Sequence, residues 1–166
     1  MDYTLPEFLA HAIALERESA ERYQELADMM ESYRNDPVSQ LFRDMVHYSK
    51  LHHDSIVERV GSLQLPTLRS WQYRWRQPPE MGGDEVFDSA LDTWSALVYA
   101  RENEVRAMEY YAGVGQQASD PEVRRLAAEF AAEETEHVEA LDVWLARTPR
   151  PGSPWRERAG GGGQDA

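Results

Sequence analysis

Glu129-Phe130-Ala131-Ala132-Glu133-Glu134-Thr135-Glu136-His137 is the stretch on which the reading of this chain turns. Helical spacing puts Glu134 and His137 on the stripe between Phe130 and Leu141, while Glu129, Glu133, Glu136 and Glu139 line the flanks or the wet side. An earlier stretch, Glu104-Val105-Arg106-Ala107-Met108-Glu109-Tyr110-Tyr111, sets Glu104 in step with Leu97, Met108 and Tyr111, with Glu102 and Glu109 facing outward. The first half of the chain repeats the pattern. Glu16 is in step with Leu9, Ile13, Ala20 and Tyr23, whereas Glu18 and Glu25 read as solvated. His52 lies between Met45 and Ile56, with His47 and His53 pointing elsewhere. Both stripe glutamates precede a Tyr by seven residues. One member differs: Glu134 stands three residues before His137, but Ser49 stands three before His52.

Working outward, the apolar spacing predicts four long helices. The first runs over about 5–33, with Pro6 in its first turn. Asn35-Asp36-Pro37 reads as a turn with Asp36 as N-cap, leading into a second helix over 37–60 that Gly61 ends. Pro66, Pro78, Pro79, Gly82 and Gly83 exclude a long helix from 61–83, which is expected to be a crossover. A third helix is expected over 84–116, capped by Asp84, with Leu91, Trp94, Leu97, Val98, Met108 and Tyr111 on its stripe. Asp120-Pro121 opens a fourth over 120–146, with Leu126, Phe130, Leu141 and Trp144 inward. Short loop, long crossover, short loop describes an all-α four-helix bundle of two antiparallel hairpins, with the third helix parallel to the second. The domain reading is one bundle over 1–146 and a flexible Pro/Gly-rich tail over 147–166.

Composition narrows the function. The chain has 166 residues, a net charge of −13 and no cysteine, so disulfides and cysteine-held iron or zinc are absent from it. The acidic field argues against nucleic acid and anionic membrane as partners. No apolar run approaches the ~18 residues of a membrane span, and no signal core follows Met1, so a cytoplasmic protein is expected.

Three carboxylates (Glu16, Glu104, Glu134) and two imidazoles (His52, His137) thereby converge on the inward stripes of four helices. Taken singly, each has an ordinary explanation. A stripe glutamate snorkels or pairs, a core histidine hydrogen-bonds, and Glu-x-x-His arises by chance in an acidic helix. Together they require compensation, because an unpaired buried carboxylate costs several kcal/mol (roughly). Two divalent metals with mixed oxygen and nitrogen ligands supply it, which suits iron, manganese or zinc.

On these residues the chain resembles the rubrerythrin-type members of the ferritin-like superfamily. The resemblance covers roughly residues 5–146 and is carried by Ala14-Leu15-Glu16 to Tyr23, Phe42 to His52, and the two stretches quoted above. It implies a ferritin-like bundle with a di-iron site that reduces peroxide, or that handles oxygen or stores iron in relatives. It also implies metal ligands Glu16, His52, Glu104, Glu134 and His137, with Tyr23 and Tyr111 hydrogen-bonding the carboxylates from behind. A homodimer and an external electron donor are implied as well.

The chain departs from that pattern in two places. Ser49 replaces a bridging glutamate, and Arg101 stands where an extra carboxylate is usual. Four carboxylates neutralise two divalent metals; three leave one formal positive charge. Either a bridging hydroxide held by Ser49 restores the balance, or a single metal binds at Glu104, Glu134 and His137. Zinc or iron binding without turnover, and a scaffold whose site has decayed, are the rival expectations. In the crossover, Leu68 to Arg76 is read as a cover over a bundle flank or as a docking patch.

Overall fold

The structure, a computed structural model, describes residues 2–69, 72–73 and 92–151. Among these residues there are four helices and no strand: α1 (Leu5–Ser32), α2 (Asp36–Val60), α3 (Thr93–Gln117) and α4 (Pro121–Arg147).

Each helix begins where a side chain supplies an acceptor for orphaned backbone N–H groups. Thr4 and Glu7 form a reciprocal capping box at α1: the Thr4 hydroxyl accepts from Glu7 N at 3.4 Å, and Glu7 Oε2 accepts from Thr4 N at 3.0 Å. At α2 the cap is Asn35 rather than Asp36; its Oδ1 accepts from Val38 N at 3.4 Å. Tertiary structure selects it, because the Asn35 amide also donates to the Thr93 hydroxyl at the start of α3. Asp36 becomes the acidic residue of the first turn, where the helix dipole favours it.

The third helix starts later than its spacing predicts. Asp92 is extended (φ −71°, ψ 165°) and its carboxylate accepts from Ser95 N at 3.0 Å, so α3 begins at Thr93 and not at 84. Asp84 and Leu91 lie outside the described residues. Asp120 caps α4, accepting from Glu122 N at 2.8 Å, and Gly61 ends α2 with a positive φ of 53° that favours glycine.

Two apolar clusters fill the bundle. At one end Phe8, Leu9 and Leu15 of α1 meet Ile56 of α2, Tyr111 and Val114 of α3, and Leu126 and Phe130 of α4. At the other end Tyr23, Leu26 and Met30 of α1 meet Phe42 and Met45 of α2, Leu97 and Ala100 of α3, and Leu141 of α4. The start of α1 thus lies with the end of α2, the end of α3 and the start of α4. Each hairpin is antiparallel and α2 runs parallel to α3, so the end of α2 and the start of α3 lie at opposite ends of the bundle. This is the ferritin-like arrangement with one long crossover.

The buried faces are wider than single stripes. Leu15 and Leu26 are buried on α1, while Ile13 and Ala20 are only half-buried; on α3, Trp94, Val98 and Met108 are half-buried as well. Helix α1 packs on α2 and also meets the α3–α4 hairpin, and two contact directions bury more than one line of side chains. Tyr73 shows where part of the crossover lies. Its ring stands 6.1 Å from His11, and Arg17 donates to its hydroxyl at 3.4 Å. Glu18, expected to be solvated, is half-buried there and its carboxyl is raised chiefly by burial. Trp71 and Trp75 lie outside the described residues, as does the tail from 152 onward.

Candidate metal centre

Between the two apolar clusters each helix contributes polar side chains to one buried layer. On α1 Glu16 follows Leu15 of the first cluster, and on α3 Glu104 falls between Ala100 and Ala107. On α4 Glu134 and His137 fall between Phe130 and Leu141; on α2 Ser49 and His52 fall between Val46 and Ile56. Glu16, Glu104 and Glu134 are 4%, 1% and 2% exposed, and Ser49 is buried one helical turn before His52. The structure brings the five residues singled out in sequence into this one layer.

The tight part is formed by α3 and α4. One oxygen each of Glu104 and Glu134 and a ring nitrogen of His137 lie within 4.8 Å of one another. His137 Nδ1 is 3.2 Å from Glu104 Oε2 and 3.2 Å from Glu134 Oε2. Tyr23 crosses from α1 to donate its hydroxyl to Glu104 Oε1. Its ring stacks on Phe42 at 6.1 Å, so apolar packing holds the donor in place. Tyr111 is fully buried, edge-on to Phe130 at 5.4 Å.

The looser part is centred on His52. Its ring lies nearly parallel to that of His137, with centroids 5.3 Å apart and 12° between planes. His52 Nδ1 is 3.9 Å from Glu16 Oε1, and Nε2 is 3.9 Å from Glu133 Oε2. Nδ1 is buried with no hydrogen-bond partner. A groove of about 550 Å³ between α1 and α2, with Ala20, Val46 and Lys50 on its walls, reaches Glu16.

Glu133 brings a further acid to the edge of the layer. Expected on the flank or wet side, it is half-buried and faces His52 across the α2–α4 seam. The signal available in sequence was Glu129, one turn earlier on the same face, which accepts a hydrogen bond from Arg59 of α2. Arg101 does not enter the layer: Nε and Nη2 bind Asp142 at 2.5 and 3.2 Å on the outside of the α3–α4 hairpin. His47 is exposed and His53 turns to Asp54 at 3.0 Å, so both lie off the layer as expected.

Electrostatics mark the layer as rich in negative charge. Burial, and next the charge of Glu104, hold the carboxyls of Glu16 and Glu134 well above the ordinary range. Burial would also raise Glu104, but bonds from His137, Glu134 and Tyr23 outweigh it and hold that carboxyl low. Burial works against a charged His137, yet its bonds to Glu104 and Glu134 push it up to about 11. His52 is lowered, by burial first and then by a charged His137, which favours a neutral ring with a free lone pair. A buried imidazole nitrogen without a hydrogen-bond partner, set among convergent buried carboxylates, makes a mixed nitrogen and oxygen donor set that suits a divalent metal. The residues fit such a group.

A crystal structure of an uncharacterised conserved protein from Magnetospirillum magnetotacticum is similar, with a TM-score of 0.77 and 57% sequence identity over 90% of this chain and 99% of that one. No functionally curated protein matches the chain. The family model described as Rubrerythrin matches residues 7–142. That span reaches into all four helices and includes every residue of the buried layer, and the chain belongs to the rubrerythrin family.

Proposed function

We propose that this protein is a non-haem di-metal oxidoreductase that uses iron to reduce peroxide or oxygen, with Glu16, His52, Glu104, Glu134 and His137 holding the metals. The observation that carries this reading is the position of three almost waterless carboxylates and two imidazoles between two apolar clusters. Iron held by these residues would supply the redox chemistry for reducing an O–O bond. The chain's own residues do the rest. Glu104, Glu134 and His137 bind as one group, Glu16 and His52 as the other, and Tyr23 orients Glu104. The apolar clusters exclude water from both ends, while the groove beside Glu16 leaves room for a small oxidant. With no cysteine in its 166 residues, the chain takes reducing equivalents from an external donor. The same reading makes it a cytoplasmic homodimer; in keeping with this, none of the described helices is long and apolar enough to cross a membrane.

A second reading rests on Ser49 and on the self-contained trio of Glu104, Glu134 and His137: a metal-binding or storage protein that takes iron or zinc without turnover. Metal analysis of anaerobically purified protein, followed by peroxide addition with stopped-flow absorbance, separates the two. Two irons per chain that oxidise with peroxide support the enzyme. One zinc, or iron inert to peroxide, favours the binding protein. Glu134→Ala should abolish loading at the trio, and full loading in that variant excludes the proposed ligand set.

A further inference from the structure

The α2 helix lacks the carboxylate that would balance a second divalent ion, and Ser49, buried one turn before His52, cannot supply that charge. The structure offers another source on a different helix. His52 lies between two carboxylates, with Nδ1 facing Glu16 and Nε2 facing Glu133, each at 3.9 Å. The two nitrogens are not equivalent, and His137 shows which one works inward: its Nδ1 meets both Glu104 and Glu134. The His52 ring is nearly parallel to it, and its own Nδ1 is the buried nitrogen with no hydrogen-bond partner. With Nδ1 turned inward as a metal ligand, Nε2 would carry the proton, and it points at Glu133. Arg59, the α2 cation on this seam, is bound to Glu129 one turn away on α4.

We propose that Glu133 replaces the missing α2 carboxylate in charge but not in ligation: it accepts from His52 Nε2–H, fixes the ring with Nδ1 inward, and offsets the second metal's charge from outside its ligand shell. The arrangement is a carboxylate–histidine–metal relay assembled across two helices. With Glu16, Glu104 and Glu134 it brings the carboxylates to four, which neutralises two divalent ions. Glu133 is a positioning residue. The proposal rests on the di-metal reading above.

Anaerobic Co(II) titration of the full chain tests it, followed by calorimetry and by the visible absorption of bound Co(II). The parent is expected to take two Co(II). Glu133→Gln should keep the first site unchanged and weaken the second about 10- to 100-fold, the usual effect of losing such an outer partner, with Co(II) band positions retained. Glu133→Asp should recover part of the loss, and Glu139→Gln, on the exposed face of α4, should behave as the parent. Equal affinity of Glu133→Gln and parent for the second ion overturns the role of Glu133 and leaves the di-metal reading standing. A changed Co(II) spectrum in Glu133→Gln overturns it in favour of direct ligation. A parent that takes fewer than two ions overturns the di-metal reading and this inference with it.

Discussion

Tyr23 donates its phenolic hydroxyl to Glu104 across a sequence separation of 81 residues, tying the α1–α2 hairpin to the α3–α4 hairpin inside the buried layer. The bond is one of the causes that hold Glu104 below the ordinary carboxylate range while its neighbours are held above it. It fixes the orientation of one carboxylate in the layer.

Tyr23→Phe keeps the ring stacked on Phe42 and removes only the donor. A buried acceptor that loses its partner costs about 1–3 kcal/mol, so the metal-free variant should melt several degrees lower. Its affinity at the Glu104–Glu134–His137 group should fall about tenfold, at the low end for an outer-shell partner. Thermal melting and Co(II) titration check this. Unchanged affinity would show that Glu104 needs no orientation from α1.

Ser49→Glu restores a carboxylate on the face of α2 that carries His52. Without metal, a fourth buried acid should destabilise the protein by several kcal/mol (order of magnitude). With metal the stability should return, and adding Glu133→Gln should then no longer weaken the second ion. Chemical denaturation with and without Co(II), run as a double-mutant cycle, measures the coupling. A metal-free Ser49→Glu as stable as the parent would place position 49 off the layer.

Three groups of the layer give the metal-free protein the same pH trend. The folded state holds the His137 proton more tightly than the unfolded chain, so that contribution is complete below pH 6.5 and is lost as pH rises toward about 11. Glu16 and Glu134, also raised, contribute fully below 4.5 and lose that contribution as pH climbs through their folded values. Glu104, lowered, works the other way and loses its contribution only as the solution becomes acidic. Chelated protein should therefore lose stability between pH 7 and 9, by at most about 1.4 kcal/mol per pH unit for the His137 proton. His137→Ala should flatten the slope. Urea denaturation across this range decides the matter, and a rising curve contradicts the charge assignment.

Arg101 is bound to Asp142 in a pair that water reaches on both sides. Removing an exposed pair typically changes stability by less than about 1 kcal/mol. Arg101→Ala should leave metal stoichiometry and affinity as they are in the parent. A gain in affinity would mean that the guanidinium reaches the layer in solution.

The helices and the inward set were legible in the sequence because both follow from periodicity. Glu16, Glu104, Glu134, His137 and His52 occupy positions in step with apolar neighbours, and a helix turns such positions to one face whatever it packs against. The Asp120 cap and the Gly61 stop were readable for the same local reason. The start of α3 was less legible, since Asp84 and Asp92 are both able caps and the bond between Asn35 and Thr93 is a tertiary contact. Pairing across helices was beyond the sequence altogether. Which acid takes Arg101, which of the carboxylates Tyr23 reaches, and that Glu133 rather than a residue of α2 faces His52 depend on how the hairpins are rotated against each other. Sequence alone determined a four-helix chain with acids and imidazoles on its core faces, because helical geometry is local. The tertiary structure decided how those groups share charge, because electrostatic partnership depends on distance through space and not on separation along the chain.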